Sequence, residues 1–252
     1  MKLINYNNTK YFQSSLLKEH GFINAFFTKR HKKNKPGELQ NELNLVSNIN
    51  YLKQVHSNKI LQVNNTLDLE SNFADCLITK KKFQSLWVYT ADCIPILIAD
   101  KKTRQIAACH SGLKGIKKHI ISKLLKIFTA LGAKKSNLII ALGPSIKGDN
   151  YQVMTKDVED LIIELTGKGY MESYLYKIEG PKEEELNLYR KDPNPDRLLI
   201  DIQAAAILQL YNEGIKQSQI DLNRLCTYSN PKLFNSYRRN NTKLRQWSCI
   251  YS

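Results

Sequence analysis

The segment "LWVYTADCIPILIADKKTRQIAACHSG" (residues 86–112) decides the fold of this chain. Its apolar runs at 86–90 and 94–99 predict two buried strands, because short apolar runs bounded by polar breaks are typical of strands covered on both faces. Residues 104–109 predict the next strand, which a tight turn at 100–101 joins to the one before. The segment therefore predicts a sheet buried within the protein.

Polar residues interrupt these apolar strands at two points. The break "ADC" places Asp92 and Cys93 in a bend between buried segments. A buried polar group destabilises the fold unless it forms hydrogen bonds or binds a ligand. The sequence "HSGLKG" places His110 at a strand end, and the glycines that follow allow the backbone to approach a ligand closely. A third polar candidate is His56 in "QVHSN".

The remaining chain alternates between helical and strand patterns. Helical spacing predicts helices over 115–132 and 198–214, and apolar runs predict strands over 137–143 and 247–251. Residues 167–197 show no regular spacing of apolar residues and contain three prolines. This pattern indicates a long loop or lid outside the core. Because hairpins accompany the alternating elements, we expect an α+β fold with mixed β-sheets and helices packed on their faces. We find no linker and expect a single domain over residues 1–252.

Composition limits the class of protein. Hydrophobic residues make up 42% and charged residues 24% of the 252 residues, which is typical of a globular chain. No apolar run is long enough to cross a bilayer, and the amino terminus lacks the apolar core of a secretory signal. The five cysteines are irregularly spaced, which argues against a disulfide framework. We therefore expect a cytoplasmic protein without a membrane partner.

The net charge of +15 admits two interpretations. A nucleic-acid-binding surface would concentrate its cations on one element and interleave aromatic residues among them. The lysines instead form short clusters scattered along the chain, such as "KRHKKNK" at 29–35 and "KKK" at 80–82. We expect a solvated basic surface and no nucleic-acid partner, and a positive field would also favour a small anionic substrate.

The residues alone leave the chemistry of Cys93 open. Thiolate and imidazole are good zinc ligands, and His56, Cys93 and His110 would form a catalytic site with an open fourth position if their segments converge. Alternatively, Cys93 is a buried thiol that packs as a small hydrophobe, with histidines at neighbouring strand ends. As a third interpretation, Cys93 is the nucleophile of a cysteine hydrolase and His56 or His110 is its base.

The order of several motifs supplies a further argument. The sequences "FFTKR…ELNL", "QVHSN", "DCLIT", "TADCIPILIAD", "HSGLKG", "ALGPSI", "YQV" and "CTYSNPKLFNSYRRNNT" occur in one order from about residue 22 onward. This ordered set resembles the laccase-domain family, also called peptidoglycan-editing factor or multicopper polyphenol oxidoreductase. The resemblance implies a purine nucleoside phosphorylase with adenosine deaminase activity, acting on purine nucleosides and inorganic phosphate.

The resemblance also assigns roles to residues of this chain. It implies that His56, Cys93 and His110 are zinc ligands, which would make them both the metal site and the catalytic centre. Arg30 and Asn44 match residues that border the family's pocket, and Gln54 matches the glutamine of its "QVH" motif. Arg30 is equally well explained as a surface cation within a basic run. For Asn44 and Gln54, a role in bridging backbone turns is favoured over direct contact with the substrate.

Several positions depart from the family pattern. Lys114 stands where the family has arginine, and lysine cannot form the forked, bidentate contact that arginine makes with an anion. We nevertheless expect Lys114 to help place the phosphate. Ser145 and Gln152 replace a cysteine and a glutamate, and Arg245 is displaced in register. These changes affect the expected substrate preference more than the expected metal binding.

The resulting functional prediction is a zinc-dependent purine nucleoside phosphorylase with adenosine deaminase activity. The alternatives are a cysteine hydrolase and a copper-binding polyphenol oxidoreductase. Five histidines are too few for a multicopper cluster, so a single metal ion is expected, with copper as the alternative to zinc. We expect Asp92 to orient a ligand histidine and the other four cysteines to be structural. The sequence sets no oligomeric state.

Overall fold

A computed structural model describes residues 1–6, 9–29, 35–64, 72–167, 173–178 and 184–252. The strands are β1 (Lys2–Tyr6), β2 (Thr9–Gln13), β3 (Ile23–Phe27), β4 (Asn48–Asn50), β5 (Ile60–Gln62), β6 (Cys76–Thr79), β7 (Gln84–Thr90), β8 (Ile94–Asp100), β9 (Ile106–Ser111), β10 (Leu138–Leu142), β11 (Gln152–Met154), β12 (Ser173–Ile178), β13 (Glu184–Lys191), β14 (Arg197–Ile200), β15 (Ile220–Leu222) and β16 (Gln246–Tyr251). The helices are α1 (Ser15–Glu19), α2 (Pro36–Glu42), α3 (Leu113–Lys117), α4 (Ile120–Ala130), α5 (Glu159–Thr166), α6 (Ile202–Asn212) and α7 (Tyr237–Asn240).

The strands form mixed sheets. A first six-stranded sheet has the order β1-β2-β3-β16-β7-β4, and a second has the order β15-β10-β8-β9-β6-β5. Most neighbours are antiparallel, whereas β4 with β7, β5 with β6 and β10 with β15 are parallel. A four-stranded sheet, β11-β14-β13-β12, is antiparallel throughout. The break "ADC" is the point at which the chain leaves the first sheet after β7 and enters the second at β8.

Strand β8 is apolar from Ile94 to Ala99 because it is covered on both faces. Leu97 and Ala99 belong to the buried cluster that also holds Leu86 and Val88 of β7, so this face packs against the first sheet. The alternate residues, such as Ile96, belong to a second cluster that contains residues of the helices. Successive side chains of a strand point to opposite faces, so a strand buried twice has no polar positions.

Helices α3 to α6 and the four-stranded sheet cover the outer face of the second sheet. Leu124 and Phe128 of α4 are buried in the same cluster as Ala205 of α6 and Leu188 of β13. Where the sheets approach, Gly143 leaves no room for a side chain, since a Cβ there would lie 2.3 Å from Cδ1 of Phe26. This organisation confirms the predicted α+β class of mixed sheets with helices on their faces. The single-domain assignment over 1–252 stays a prediction.

The sequence prediction of one helix over 115–132 is wrong. The chain forms α3 and α4 instead, and His119 between them has a φ of 55°, a left-handed conformation that an α-helix cannot continue through. Side chains from other segments bind the carbonyls at the break: Asn58 donates to Lys118 at 2.7 Å and Gln209 donates to Ile116 at 2.9 Å. These tertiary contacts are not visible in the local apolar spacing.

Other boundaries also differ from the predictions. The segment 167–197 is not outside the core, because β13 and β14 belong to the four-stranded sheet and Leu188 is fully buried. Within 198–214, the first residues form the end of β14 and the helix begins only at Ile202. The turn after β8 is also longer than two residues, because the Asp100 carboxylate accepts hydrogen bonds from the backbone of the residues that follow.

The terminal strand β16 confirms the strand predicted over 247–251, extended by one residue at its start. Its neighbours are β3 and β7, so the end of the chain lies inside the first sheet. Among the helices of the described residues, none has the length and apolar character needed to span a membrane.

Candidate metal centre

Three chain segments bring His56, Cys93 and His110 together. His56 lies in the loop between β4 and β5, Cys93 lies at the crossing from one six-stranded sheet to the other, and His110 lies in β9. The ligand atoms of the three side chains lie within 4.8 Å of one another. The sulfur of Cys93 is 3.9 Å from Nε2 of His56, and the two imidazole rings are perpendicular with centroids 4.7 Å apart. The sequence prediction that these segments converge is therefore confirmed.

Asp75, immediately before β6, holds two of these segments in place. Its Oδ1 lies 2.8 Å from Nδ1 of His110, and its backbone carbonyl accepts a hydrogen bond from the amide of His110 at 2.7 Å. The same carboxylate accepts the backbone N–H groups of Val55, His56 and Ser57 at 3.2, 2.9 and 2.6 Å. One buried carboxylate thus fixes both the His56 loop and the ring orientation of His110, and it directs Nε2 of His110 toward Cys93 and the space between the donor atoms.

Gly112 is required by the close packing around Cys93. A Cβ at position 112 would lie 2.6 Å from the sulfur of Cys93 and 3.6 Å from Cδ2 of His56. No real Cβ approaches a sulfur so closely, so only glycine leaves the three side chains their present arrangement. The space for the donor atoms depends on this residue. The sequence expectation that the glycines allow the backbone to approach a ligand stays a prediction.

The charges of the centre favour a thiolate. Burial opposes ionisation of Cys93, but the charge of His110 and the hydrogen bonds from His110 and His56 outweigh burial and lower the pKa of Cys93 to about 6. Burial likewise opposes protonation of His110, but the Cys93 thiolate and the hydrogen bond to Asp75 raise the pKa of His110 to about 10. A thiolate next to two imidazoles is a donor set that zinc prefers, and the residues therefore fit a metal ion.

The centre opens into a large cavity. Its volume is about 870 Å³, and it is lined by Gln54, His56, Tyr89, Thr90, Ala91, Asp92, Cys93, His110, Leu113, Lys114, Ile146, Tyr151, Ile202, Tyr237, Arg238, Asn241 and Arg245. Cavities of this size and mixed lining bind small organic ligands and cofactors. The lysine and arginine residues of the lining are Lys114, Arg238 and Arg245.

The predicted substrate contacts have different locations. Gln54 and Lys114 line the cavity, but the amide of Gln54 is bound to the backbone of Tyr89, donating at 2.7 Å and accepting at 2.9 Å. Asn44 is exposed in a turn with a φ of 52°, where it donates to the Tyr6 hydroxyl at 3.4 Å, and it is not one of the described residues that line the cavity. Arg30 lies outside the described residues.

The expectation that Asp92 orients a ligand histidine is wrong. Its Oδ1 accepts a hydrogen bond from the Thr227 hydroxyl and its Oδ2 accepts the backbone N–H of Arg238, both at 2.7 Å. Asp92 therefore fixes the segment that carries α7 at the cavity, while Asp75 orients His110. The reason is positional: Asp75 is in register with His110 across β6 and β9, whereas Asp92 faces the carboxyl-terminal segments.

The remaining departures noted in the sequence can now be located. Arg245 lines the cavity despite its displaced register, and its Nη1 donates to the carbonyls of Thr242 and Leu244 at 2.6 and 2.9 Å. Ser145 is fully buried, and Gln152 donates to Asp192 at 2.8 Å. Neither of the last two is a lining residue of the cavity.

Comparison with known proteins gives this arrangement a family. The family model described as multi-copper polyphenol oxidoreductase laccase matches residues 29–252. The chain belongs to this laccase family. The match covers all three residues of the metal centre and most of the chain.

Relatives and solved structures of the laccase family agree with this placement. A Synechocystis sp. protein named purine nucleoside phosphorylase slr1573 is 32% identical over 98% of this chain and 96% of its own length. A Rickettsia conorii protein named purine nucleoside phosphorylase RC0672 is 32% identical over 75% of this chain and 69% of its own length. The crystal structure of YlmD from Geobacillus stearothermophilus has the same fold, with a TM-score of 0.79 at 20% identity over 96% of this chain and 95% of that one.

A cluster of several coppers, as the laccase family's name describes, has little support in the described part of the chain. His56, Cys93 and His110 form the one group in the described part of the chain that could hold a metal ion, whereas a multicopper centre needs many imidazoles. Of the other histidines, His119 is on the surface, where its Nδ1 lies 3.4 Å from Oε1 of Glu164. The donor set therefore supports a single ion.

The site also contains residues that the sequence did not reveal. Asp75 is the first residue of the quoted "DCLIT". A carboxylate directly before a buried strand was the signal that could have identified it as a residue of the site. Tyr237 and Arg238 lie within the quoted "CTYSNPKLFNSYRRNNT", but the sequence does not indicate which of its two arginines faces the cavity. Tyr151 is the tyrosine of "YQV" and lies beneath Arg238.

Proposed function

We propose that this chain is a zinc-dependent purine nucleoside phosphorylase that also deaminates adenosine. The observation that carries this proposal is the convergence of His56, Cys93 and His110 at a cavity of about 870 Å³ with a cationic lining. Relatives that cover most of the chain bear the name purine nucleoside phosphorylase, which supports the choice of substrate. We choose zinc because three protein ligands beside an open cavity are the arrangement of catalytic zinc sites.

The metal would be held by the three side chains, with Asp75 keeping the imidazole of His110 in the orientation that presents Nε2. A zinc ion bound there would supply a Lewis acid next to the substrate cavity. The cavity can enclose a nucleoside together with inorganic phosphate, and the positive charges of its lining would draw the phosphate dianion in.

In phosphorolysis, an oxygen of inorganic phosphate forms a bond to the anomeric carbon while the bond from that carbon to the purine nitrogen breaks. The bonding electrons stay on the purine, which then takes up a proton. Lys114 and Arg30 would help place the phosphate. Burial and the Cys93 thiolate raise the pKa of Tyr151 to about 12, against the opposing charge of Arg238, so its hydroxyl keeps its proton and can donate a hydrogen bond to the departing base.

Deamination of adenosine would use the same cavity with water as the attacking reagent, giving inosine and ammonia. Water and phosphate then compete for the same enclosed substrate. The remaining assignments are a cytoplasmic location, a single domain over 1–252 and no nucleic-acid partner. They follow from the composition and stay predictions.

A cysteine hydrolase is the second candidate, and one observation favours it. Asp75, His110 and Cys93 stand in the order carboxylate, imidazole and thiolate, which is the arrangement that activates a nucleophilic cysteine. The position of His56 argues against it, because a second imidazole near the sulfur has no role in such a mechanism. A chelator separates the two candidates, since only the metal-dependent enzyme loses activity when the ion is removed.

The decisive experiment is a panel of adenosine, inosine and methylthioadenosine, with and without phosphate, on protein of measured zinc content. We expect free base and a sugar 1-phosphate only when phosphate is present, and inosine with ammonia from adenosine without it. If no purine nucleoside releases its base under saturating phosphate with zinc bound, the phosphorylase proposal is rejected. Activity that survives chelation and is lost on alkylation would establish the hydrolase instead.

A further inference from the structure

Two consecutive arginines on α7 have opposite surroundings. The guanidinium of Arg239 donates to the carbonyls of Thr227, Tyr228 and Phe234 at 2.8, 2.7 and 2.8 Å. These hydrogen bonds tie α7 to the preceding loop and occupy its donors. Arg239 is therefore a structural residue that holds the segment in place.

Arg238 is held by its backbone and leaves its side chain free. Its amide donates to Oδ2 of Asp92 at 2.7 Å, and its guanidinium carbon lies 5.0 Å from the centroid of the Tyr151 ring. Within the described part of the chain, the guanidinium forms no hydrogen bond and no ion pair, although it lines the cavity. A guanidinium stacked on a ring keeps all its N–H groups available at the edge of its plane.

The charges of the cavity lining indicate what this guanidinium binds. Asp92 is the only carboxylate among the described lining residues, and both of its oxygens already accept hydrogen bonds. Arg245 also lines the cavity, but one of its nitrogens is bound to two backbone carbonyls. Arg238 and Lys114 are thus the lysine and arginine residues of the lining whose charged groups make no hydrogen bond with the described residues, and they face no uncommitted carboxylate.

We propose that Arg238 binds the inorganic phosphate and presents it to the nucleoside, with Lys114 as a weaker second contact. The inference rests on the proposed phosphorylase function and adds its main anion-binding residue. Arginine forms two parallel hydrogen bonds to a phosphate, whereas lysine acts as a point charge on a flexible stem. The Asp92 contact and the Tyr151 ring hold Arg238 in place before the anion binds, so little conformational entropy is lost on binding.

The test compares Arg238→Gln with Lys243→Gln, which removes one exposed positive charge from a residue outside the cavity lining. Both zinc-loaded variants and the wild type are assayed at varied phosphate and at varied nucleoside. We expect Arg238→Gln to raise the phosphate concentration for half-maximal rate at least about tenfold, because a charge-assisted bidentate contact is lost. The nucleoside requirement and the zinc content should stay within about twofold, and Lys243→Gln should match the wild type.

Arg238→Lys provides an intermediate case, since it keeps the positive charge but cannot form two parallel hydrogen bonds to one phosphate. We expect its phosphate requirement to lie between those of the wild type and Arg238→Gln. A phosphate requirement of Arg238→Gln equal to that of Lys243→Gln would overturn the assignment.

Direct binding of phosphate to the zinc-loaded protein, measured by titration calorimetry, separates this inference from the phosphorylase proposal. If the wild type binds phosphate and Arg238→Gln does not, Arg238 is the anion-binding residue even when no nucleoside is cleaved. If the two proteins bind phosphate equally, or if the wild type binds none, the inference is wrong whatever the enzyme's activity.

Discussion

The metal centre and the cationic rim of the same cavity are built in different ways. At the centre, contacts from several segments set the shape: Asp75 binds the backbone of the His56 loop and the ring of His110, and Gly112 leaves room for the Cys93 sulfur. At the rim, Lys114 and Arg238 extend from short helices and their charged ends make no hydrogen bond with the described residues. The centre therefore tolerates almost no change of shape, whereas the rim can change in affinity while the fold is preserved.

The largest effect is expected from removing the thiolate of the centre. Cys93→Ala should lose the metal and all turnover, because a site with two imidazoles binds zinc far more weakly than one with a thiolate. The measurement is zinc per chain by elemental analysis, together with the nucleoside assay. Unfolding should be compared in a chelator, so that the stabilisation by the bound metal does not enter.

Cys226→Ser is the matched control for that variant. Cys226 is buried but does not belong to the group that can hold a metal, so zinc content and turnover should be retained. A Cys93→Ala protein that keeps a full equivalent of zinc would show that the centre has been assigned incorrectly.

A methyl group at Gly112 tests how tightly the centre is packed. Gly112→Ala should lower zinc affinity by about 100-fold or more, since the new Cβ would lie 2.6 Å from the Cys93 sulfur and the donors must separate. Gly37→Ala is the control, because a Cβ there would have ordinary contact with Ile49 at 3.8 Å. Equal zinc affinity in the two variants would mean that the centre is as adaptable as the rim.

Asp75→Asn tests the carboxylate that joins the segments. We expect about 10–100-fold weaker zinc binding, because the imidazole of His110 loses its charged partner. The free energy of unfolding should fall by about 3 kcal/mol, since the amide group cannot accept all the backbone and hydroxyl donors that now bind the carboxylate. Zinc titration and denaturant unfolding of the metal-free protein measure the two effects.

The pH dependence of the free energy of unfolding tests whether the negative charge of Asp75 stabilises the fold. Burial opposes ionisation, but the hydrogen bonds from His110 and Ser57 outweigh it and hold the pKa of Asp75 below its usual value. A carboxyl whose pKa is lower in the folded state stabilises the protein above its unfolded pKa of about 3.9, and this contribution is lost as the pH falls toward the folded pKa. Asp75→Asn should remove this part of the loss of stability at low pH. If the free energy of unfolding falls with pH equally in Asp75→Asn and the wild type, the Asp75 charge does not stabilise the fold.

The smallest effect is expected at the rim. Lys114→Arg should lower the phosphate concentration for half-maximal rate by about threefold, which corresponds to less than about 1 kcal/mol, because Arg238 already supplies the main contact. Zinc content should be unchanged. A shift as large as that of Arg238→Gln would mean that position 114 contributes as much as position 238.

Parts of this structure were predictable from sequence for physical reasons. The run at 94–99 has no polar position because β8 is buried on both faces, and such a run identifies a strand without further information. The donor residues were identified because thiol and imidazole are rare in this chain, and the order of motifs assigned them to one site. Both signals can be read along the chain without knowing which segments are in contact.

The errors concern contacts between segments. The choice between Asp75 and Asp92 depends on strand register, and the break between α3 and α4 depends on side chains of Asn58 and Gln209. Strand β13 has a charged and polar sequence that hides its place beside α6. Likewise, nothing in "YRRN" distinguishes the arginine that faces the cavity from the one that binds the preceding loop.

The short outer strands of the second six-stranded sheet have a consequence for self-association. Its inner strands β8, β9 and β10 are almost entirely apolar, and such sequences add readily to one another when an edge is open. The sheet is bordered by β15 and β5, each of three residues and each paired in parallel with its neighbour. A second chain would find only a few free backbone groups at either border. The protein can therefore keep a very apolar sheet beside its metal centre without offering a template for aggregation.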